Sequence, residues 1–331
     1  MTDSTYDVLG IGNAIVDVLS RVEHRFLIAE GLVKGTMRLI DEVEAERLYG
    51  TMGPAVEVSG GSVANTVAGV ASFGGRAAFI GRVKNDQLGE VFAHDIRAAG
   101  VVFDTPAATD GPATARCLVM VTPDGERTMN TFLGASVALS PDDIDPHVIA
   151  TAAVTYLEGY LWDPPGAKDA FLKATRCARE AGRLTALSLS DPFCVERHRE
   201  SFLDLIGSGI DIVFANETEI TSLYHVETFD EALQAVRKDC KLAVLTRSAA
   251  GSVIVEGDEV HVVEAVMVPN VVDATGAGDL FASGFLFGYT RSRGLARCAR
   301  LGALAASEVI SHIGARPQLR LDKLAVQAGL L

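Results

Sequence analysis

NVVDATGAGDLFASGFLFGY, residues 270–289, sets three small residues, Gly276, Ala277 and Gly278, directly ahead of Asp279 and a run with helical spacing. Glycines before a helix let successive backbone N–H groups point into one concavity, and the helix dipole adds partial positive charge there. The turn can therefore hold a phosphate oxygen, or the charge developing on one. A carboxylate at the mouth of such a hole would repel a phosphate that is merely bound. It makes sense where it accepts the proton of an attacking hydroxyl. An ordinary aspartate, with a pKa of about 3.9, is a weak base for an alcohol, but phosphoryl transfer has a loose transition state and needs the proton only late. Taken alone, the stretch reads more readily as a tight turn whose aspartate complements a helix N-terminus.

Outward from this turn, short β-rich runs alternate with stretches of helical period. YDVLGIG (6–12), RAAFIGRV (76–83), AVTYLEG (153–159), LTALSLSDP (184–192), IDIVFANE (210–217) and KLAVLTR (241–247) read as strands. Between them, 61–73, 87–99, 166–181, 196–206, 216–224, 229–239, 279–290 and 294–312 read as helices. In 87–99, Leu88, Val91, Phe92, Ile96 and Ala99 recur at offsets of three and four and so share one face. Strand–helix alternation implies βαβ units, hence a mostly parallel central sheet with helices on both faces. SVIVEGDEVHVVEA (252–265) breaks the pattern and predicts a hairpin. Residues 18–58 and 105–133 also resist it. They hold short strand-like pieces (MRLI, ATARCLVMVT, RTMNTFL) and predict a small extra β-sheet beside a single α/β domain.

The chain of 331 residues is 48% hydrophobic, enough to fill one large core with an appendage. Its formal charge of −14 repels nucleic acid and anionic membranes alike. Five widely spaced cysteines without a C-x-x-C pair suggest neither a disulfide framework nor a zinc site, and fit a reducing, cytoplasmic compartment. MTDSTYDVL at the start lacks the basic and apolar regions of a leader, and no apolar run reaches membrane-spanning length.

No Gly-Lys dipeptide occurs, so the P-loop is excluded, as are the H-R-D and D-F-G elements of protein kinases. GIGNAIVD at 10–17 offers G-x-G but has Ile15 where a dinucleotide fingerprint needs its third glycine.

The opening stretch, taken with GGSVANTVAGVASFGGRAAFIGRVKNDQLGEVFAHDIRAAGV at 60–101, resembles the paired signatures of the ribokinase-like, or PfkB, family of carbohydrate and nucleoside kinases. DATGAGD is close to that family's D-T-x-G-A-G-D, with Ala274 in place of the usual threonine, and the similarity runs from about residue 6 to about 317. The resemblance implies a ribokinase-like α/β fold whose extra sheet is a lid. It implies ATP as donor, Asp279 as catalytic base, and the amides of Gly276, Ala277 and Gly278 as the cradle of the transferring phosphate. Asn216 and Glu219, in FANETEI, match the family's N-x-x-E and would serve the Mg²⁺ carried by ATP. The same residues also make an ordinary N-cap pair at a helix start. In LTRSAAGS (245–252), Thr246 and Gly251 match a nucleotide-contacting strand end, although Ser248 replaces a glycine there. Arg127 matches an arginine that approaches the phosphate in relatives, and a solvated turn arginine is the alternative. A monovalent-cation (K⁺) loop near Asp273 and Gly314 follows from the resemblance as well.

For the acceptor, Asn13 and Asp17 follow the first strand and can bond vicinal hydroxyls of a ribose. Gly60 and Gly61 let a sugar approach the backbone, and Asn65 lies one turn into the next helix. G-N-x-x-x-D at 12–17, YLEGY at 156–160, LSLSDPF at 187–193 and DIVFANETE at 211–219 look more like the adenosine kinases than the ribokinases. That implies a base site near Leu39 and Tyr160, and transfer from ATP to the 5′-hydroxyl of adenosine. A sugar kinase acting on ribose, fructose or a related ligand is the alternative. From other classes, a nucleoside sensor without turnover and a dinucleotide oxidoreductase remain, the first opposed by Asp279 and the second by Ile15. Monomer and homodimer are both open.

Overall fold

The computed structural model describes residues 4–331. Residues 1–3 of the amino-terminal segment lie outside the described residues. Among the described residues, fourteen strands form two sheets. In chain order they are β1 (Tyr6–Ile11), β2 (Ile15–Arg21), β3 (Met37–Leu39), β4 (Ala55–Gly60), β5 (Ala77–Ile80), β6 (Val101–Val102), β7 (Ala115–Val121), β8 (Arg127–Phe132), β9 (Ala152–Glu158), β10 (Leu184–Ser188), β11 (Ile212–Asn216), β12 (Leu242–Thr246), β13 (Ser252–Glu256) and β14 (Glu259–Val263).

The large sheet runs β14-β13-β12-β11-β10-β9-β1-β5-β6, parallel from β6 to β12 and closed by the antiparallel hairpin β13–β14. Its central strands are largely apolar because both of their faces are covered, whereas the edge strand β14 is mostly exposed. Val8, Val154, Ile212 and Val244 pack on one side with helices Ser62–Ser72, Ala277–Thr290 and Leu295–Val309. Leu9, Leu157, Val213 and Leu245 pack on the other with helices Pro165–Glu180, Pro192–Gly209, Glu217–Tyr224 and Phe229–Asp239. The 277–290 helix is apolar all round, from Leu280 to Phe287, and is accordingly the buried one.

β1 sits between β5 and β9, so the chain leaves it toward both sides of the sheet. In an open α/β sheet a crevice forms at the carboxyl ends of the strands around such a reversal. Asn13, Glu158, Asn216 and Thr246 all stand at or just beyond those ends.

The second sheet, β3-β8-β7-β2-β4, is drawn from residues 15–60 and 115–132. Val16, Val18, Leu118 and Met120 form its buried face with Leu27 and Leu48, from the short helices His24–Ala29 and Glu42–Thr51. Its other face carries Asp17, Leu19, Cys117, Val119, Met129 and Arg127. β2 and β4 were not among the expected pieces. The sequence therefore placed Asp17 after the first strand, whereas it lies inside β2, paired with Cys117 and Val58. The reason is that β2 follows β1 after only three residues, so the two strands merge into one apolar run. The 196–206 helix is longer than expected, Pro192–Gly209, because Asp191 caps its start by accepting from Phe193 and Cys194. It carries a break at His198 (φ −125°, ψ 19°). No helix among the described residues is long and apolar enough to cross a membrane.

Candidate active site

Gly276 is the N-cap of the 277–290 helix and adopts φ 79°, a left-handed value that a side chain would strain; a Cβ there would also fall 2.8 Å from the Ala315 Cβ. This turn exposes the start of the helix. The Ala277 N–H donates to the Ala274 carbonyl at 3.2 Å, whereas those of Gly276, Gly278 and Asp279 have no protein acceptor among the described residues. The amides left free at this helix start are thus those of Gly276, Gly278 and Asp279, and the Ala277 amide is spent on the turn itself. Beyond Gly278 lies open space, with nothing within 4 Å of an added Cβ.

Asp279 is held from the neighbouring 62–72 helix. Ser62 Oγ donates to its Oδ1 at 2.6 Å, Asn65 Nδ2 to its Oδ2 at 2.9 Å, and Thr66 Oγ1 to its carbonyl at 3.0 Å. Burial pushes the Asp279 carboxyl up to about 6, against the pull of those two side-chain hydrogen bonds and of Arg316. A group poised near neutrality is a better proton acceptor than an exposed aspartate.

Arg316 escaped the sequence reading. Its Nε donates to Asn65 Oδ1 at 2.8 Å and its Nη2 to Ser59 Oγ at 3.1 Å. The first bond fixes the Asn65 amide so that its NH₂ faces Asp279. Both ends of Asn65 are therefore engaged within the protein, and it positions Asp279. Burial lowers Arg316 to about 10 even though Asp95, Asp17 and Asp279 stand nearby.

The Asp17 side chain makes no hydrogen bond among the described residues, and Gly60 lies so close that an added Cβ would stand 2.6 Å from its Oδ2. Burial raises it to about 6 against the charges of Arg127 and Arg316, with Asp279 and Asp273 adding to the rise. This half-buried carboxylate has no protein donor and is free to accept O–H or N–H groups from a ligand in the cleft. Gly61, at φ 99°, brings the chain against the Asn13 carbonyl, 2.2 Å from where its Cβ would be. Asn13 itself is bound by Glu158, its Nδ2 donating to Oε1 at 2.7 Å, while its Oδ1 is buried with no partner. Glu158 also accepts from the Val63 amide at 3.0 Å, anchoring the helix that carries Ser62 and Asn65; burial raises it to about 7.

Across the cleft, Asn216 and Glu219 form a reciprocal capping box, with Asn216 Nδ2 donating to Glu219 Oε1 at 2.6 Å and the Glu219 amide to Asn216 Oδ1 at 2.9 Å. Burial lifts Glu219 to about 7. Both residues line a cavity of about 100 Å³ together with Ser62, Thr246, Gly278 and Asp279. No group of three metal-ligating His, Cys, Asp or Glu side chains occurs among the described residues. Both Glu219 oxygens and Asn216 Oδ1 already accept N–H groups, so the pair would meet a Mg²⁺ held by a triphosphate only through the waters of its shell, as second acceptors on lone pairs left over from the cap.

Thr246 is in the cavity wall, but Gly251 is not. At φ 85° it packs against the Val263 carbonyl and shapes the loop. Ser248 also has a left-handed φ, 49°, the conformation that favours the glycine it replaces. Tyr160 (39% exposed) follows β9, and Leu39 (60% exposed) lies on β3 at the rim of the second sheet, aligned with Thr131. Arg127 reaches from β8 to Asp273 and to Thr275 Oγ1, at 3.0 Å from the latter, and so stands behind the glycine turn.

Unpaired helix-terminal amides beside a carboxylate of raised pKa, in the crevice of a largely parallel sheet, define a phosphotransferase. Residues 35–321 match the pfkB family of carbohydrate kinases, and the chain belongs to that family. It is similar to the crystal structure of adenosine kinase from Sinorhizobium meliloti, with 56% identity, 98% of this chain and 100% of that one covered, and a TM-score of 0.91. It is also similar to a probable sugar kinase protein from Rhizobium etli CFN 42, with 54% identity, coverage of 99% and 100%, and a TM-score of 0.93. The adenosine kinase of Saccharomyces cerevisiae is 25% identical over 333 residues, spanning 94% of this chain and 96% of that protein. The protein is a nucleoside or sugar kinase, and its family implies ATP as the phosphoryl donor.

Proposed function

We propose that the chain transfers the γ-phosphoryl group of ATP to the 5′-hydroxyl of adenosine, yielding AMP and ADP. The observation that carries this reading is the Asp279 carboxylate, poised near 6 and set beside the free amides of Gly276 and Gly278. In the reaction the acceptor oxygen forms a bond to the γ-phosphorus while the bond from that phosphorus to the β–γ bridging oxygen breaks. The hydroxyl proton passes to Asp279, and the charge spread over the equatorial oxygens falls on the amides.

Asp17 and the orphaned Oδ1 of Asn13 bind acceptor hydroxyls or amines, a role supported for Asn13 by the lack of any protein donor to its buried Oδ1. Tyr160 and Leu39 flank the base. Glu219 and Asn216 would hold, through water, a Mg²⁺ whose charge would shield the triphosphate. Thr246, at the end of β12, contacts the nucleotide, and Gly251 shapes the same loop. The second sheet acts as a lid that excludes water. Five free cysteines, four of them buried, support a reducing, cytoplasmic setting.

A sugar acceptor is the competing reading, favoured by the name of the Rhizobium etli relative. Coupled ADP release over adenosine, inosine, guanosine, ribose and fructose separates the two. Adenosine is expected to give the highest kcat/KM, and a preference for a free sugar overturns the assignment. Asp279→Asn is expected to lower turnover by about 10²–10⁴-fold with acceptor binding retained. A variant as active as the parent removes Asp279 from the chemistry.

A further inference from the structure

The resemblance implies a monovalent-cation loop near Asp273 and Gly314, and the donor set there does not fit one. Asp273 Oδ1 accepts from the Thr275 amide at 3.0 Å. Its Oδ2 accepts from the Gly314 amide at 2.9 Å and from the guanidinium of Arg127, which also donates to Thr275 Oγ1 at 3.0 Å. A K⁺ ion needs converging oxygen lone pairs. Here the carboxylate already faces N–H groups on both oxygens, and Arg127 has taken a lone pair of the threonine hydroxyl.

We propose that the Arg127 guanidinium is the resident cation of this loop, performing from the second sheet the electrostatic task of a bound monovalent ion, so that the protein has no K⁺ requirement. The side chains of Arg127 and Asp273 are 10% and 5% exposed, so the pair is shielded from salt. Burial alone would raise the Asp273 carboxyl. The Gly314 and Thr275 hydrogen bonds and the Arg127 charge outweigh it and hold the group below its ordinary value. Because Asp273 and Thr275 lead straight into Gly276, the charge that neutralises Asp273 also fixes the turn whose amides face the phosphate. Arg127 is thus a positioning residue that ties the second sheet to the anion hole. It carries its cation covalently, where an ion would have to bind from solution.

The proposal rests on the phosphotransferase reading only for its kinetic arm, because melting of the ligand-free protein is independent of any substrate. At constant ionic strength, the wild-type melting temperature and kcat/KM are expected to be the same in K⁺ and in tetramethylammonium. Arg127→Ala is expected to lose activity and then regain it with K⁺ or with low guanidinium. That gain should be about fivefold or more and saturable, accompanied by a rise in melting temperature under the same ions. Arg127→Lys, which keeps a charge without the fork, is expected to fall between the two. Selective recovery by small cations is not produced by loss of packing alone. Activation or stabilisation of the wild type by K⁺ overturns the proposal whether or not Arg127→Ala folds. So does a folded Arg127→Ala protein that responds identically to K⁺, guanidinium and tetramethylammonium.

Discussion

Ser62→Ala removes the 2.6 Å hydrogen bond that Asp279 Oδ1 accepts and leaves the backbone of the 62–72 helix intact. That bond lowers the carboxyl pKa, so its loss moves the pKa upward from about 6. A hydrogen bond to a charged group contributes about 1.5–3 kcal/mol, and one pKa unit corresponds to about 1.4 kcal/mol, which gives a rise of about one to two units. A water entering the vacated space would return part of this, which places the expected value near the lower end.

If Asp279 accepts the proton, kcat/KM falls on the acid side as the carboxylate protonates. The wild-type limb is shared with Asp17, Glu158 and Glu219, whose pKa values lie close by, and belongs to the set as a whole. Only Asp279 touches Ser62, however, so the displacement reports on that group. The measurement is kcat/KM for the acceptor across the neutral range. Ser62→Ala is expected to be about tenfold impaired on the acid side and close to wild type at alkaline pH. An acid limb that stays in place, or moves to lower pH, refutes proton acceptance by Asp279 and leaves it an orienting role alone.

Asp17→Asn is expected to stabilise the ligand-free protein while weakening acceptor binding far more than ATP binding. The folded-state pKa of Asp17 is raised to about 6, so the stability it contributes is present at low pH and is lost as pH rises from about 4 through about 6. Asn does not titrate, so a gap on the order of 1–3 kcal/mol opens over that window in denaturant titrations; a gap that does not depend on pH refutes the assignment. Arg316→Met frees the Asn65 amide to turn and removes the cation beside Asp279; kcat is expected to fall by about 100-fold with ATP KM little changed, since small misplacements of reacting groups cost that much. Wild-type kcat in that variant would show that Asn65 is held without Arg316.

What the sequence determined by itself was local. The small residues of 276–278 before an apolar run fix a turn and a helix start, Asn216 three residues before Glu219 fixes a cap, and alternating periods fix a parallel sheet with helices on both faces. Each is a matter of backbone conformation or of neighbours within a turn, and the chain writes these in adjacent letters. Tertiary structure decided the environment of the chemistry. Ser62 and Asn65 meet Asp279 across 217 and 214 positions, Arg316 meets Asn65 across 251, Glu158 meets Asn13 across 145, and Arg127 meets Asp273 across 146. No period or spacing encodes such pairs. They exist because the crevice at the strand ends gathers residues from remote segments, and burial there shifts the carboxyl groups and the arginine that the sequence shows only as unremarkable charges.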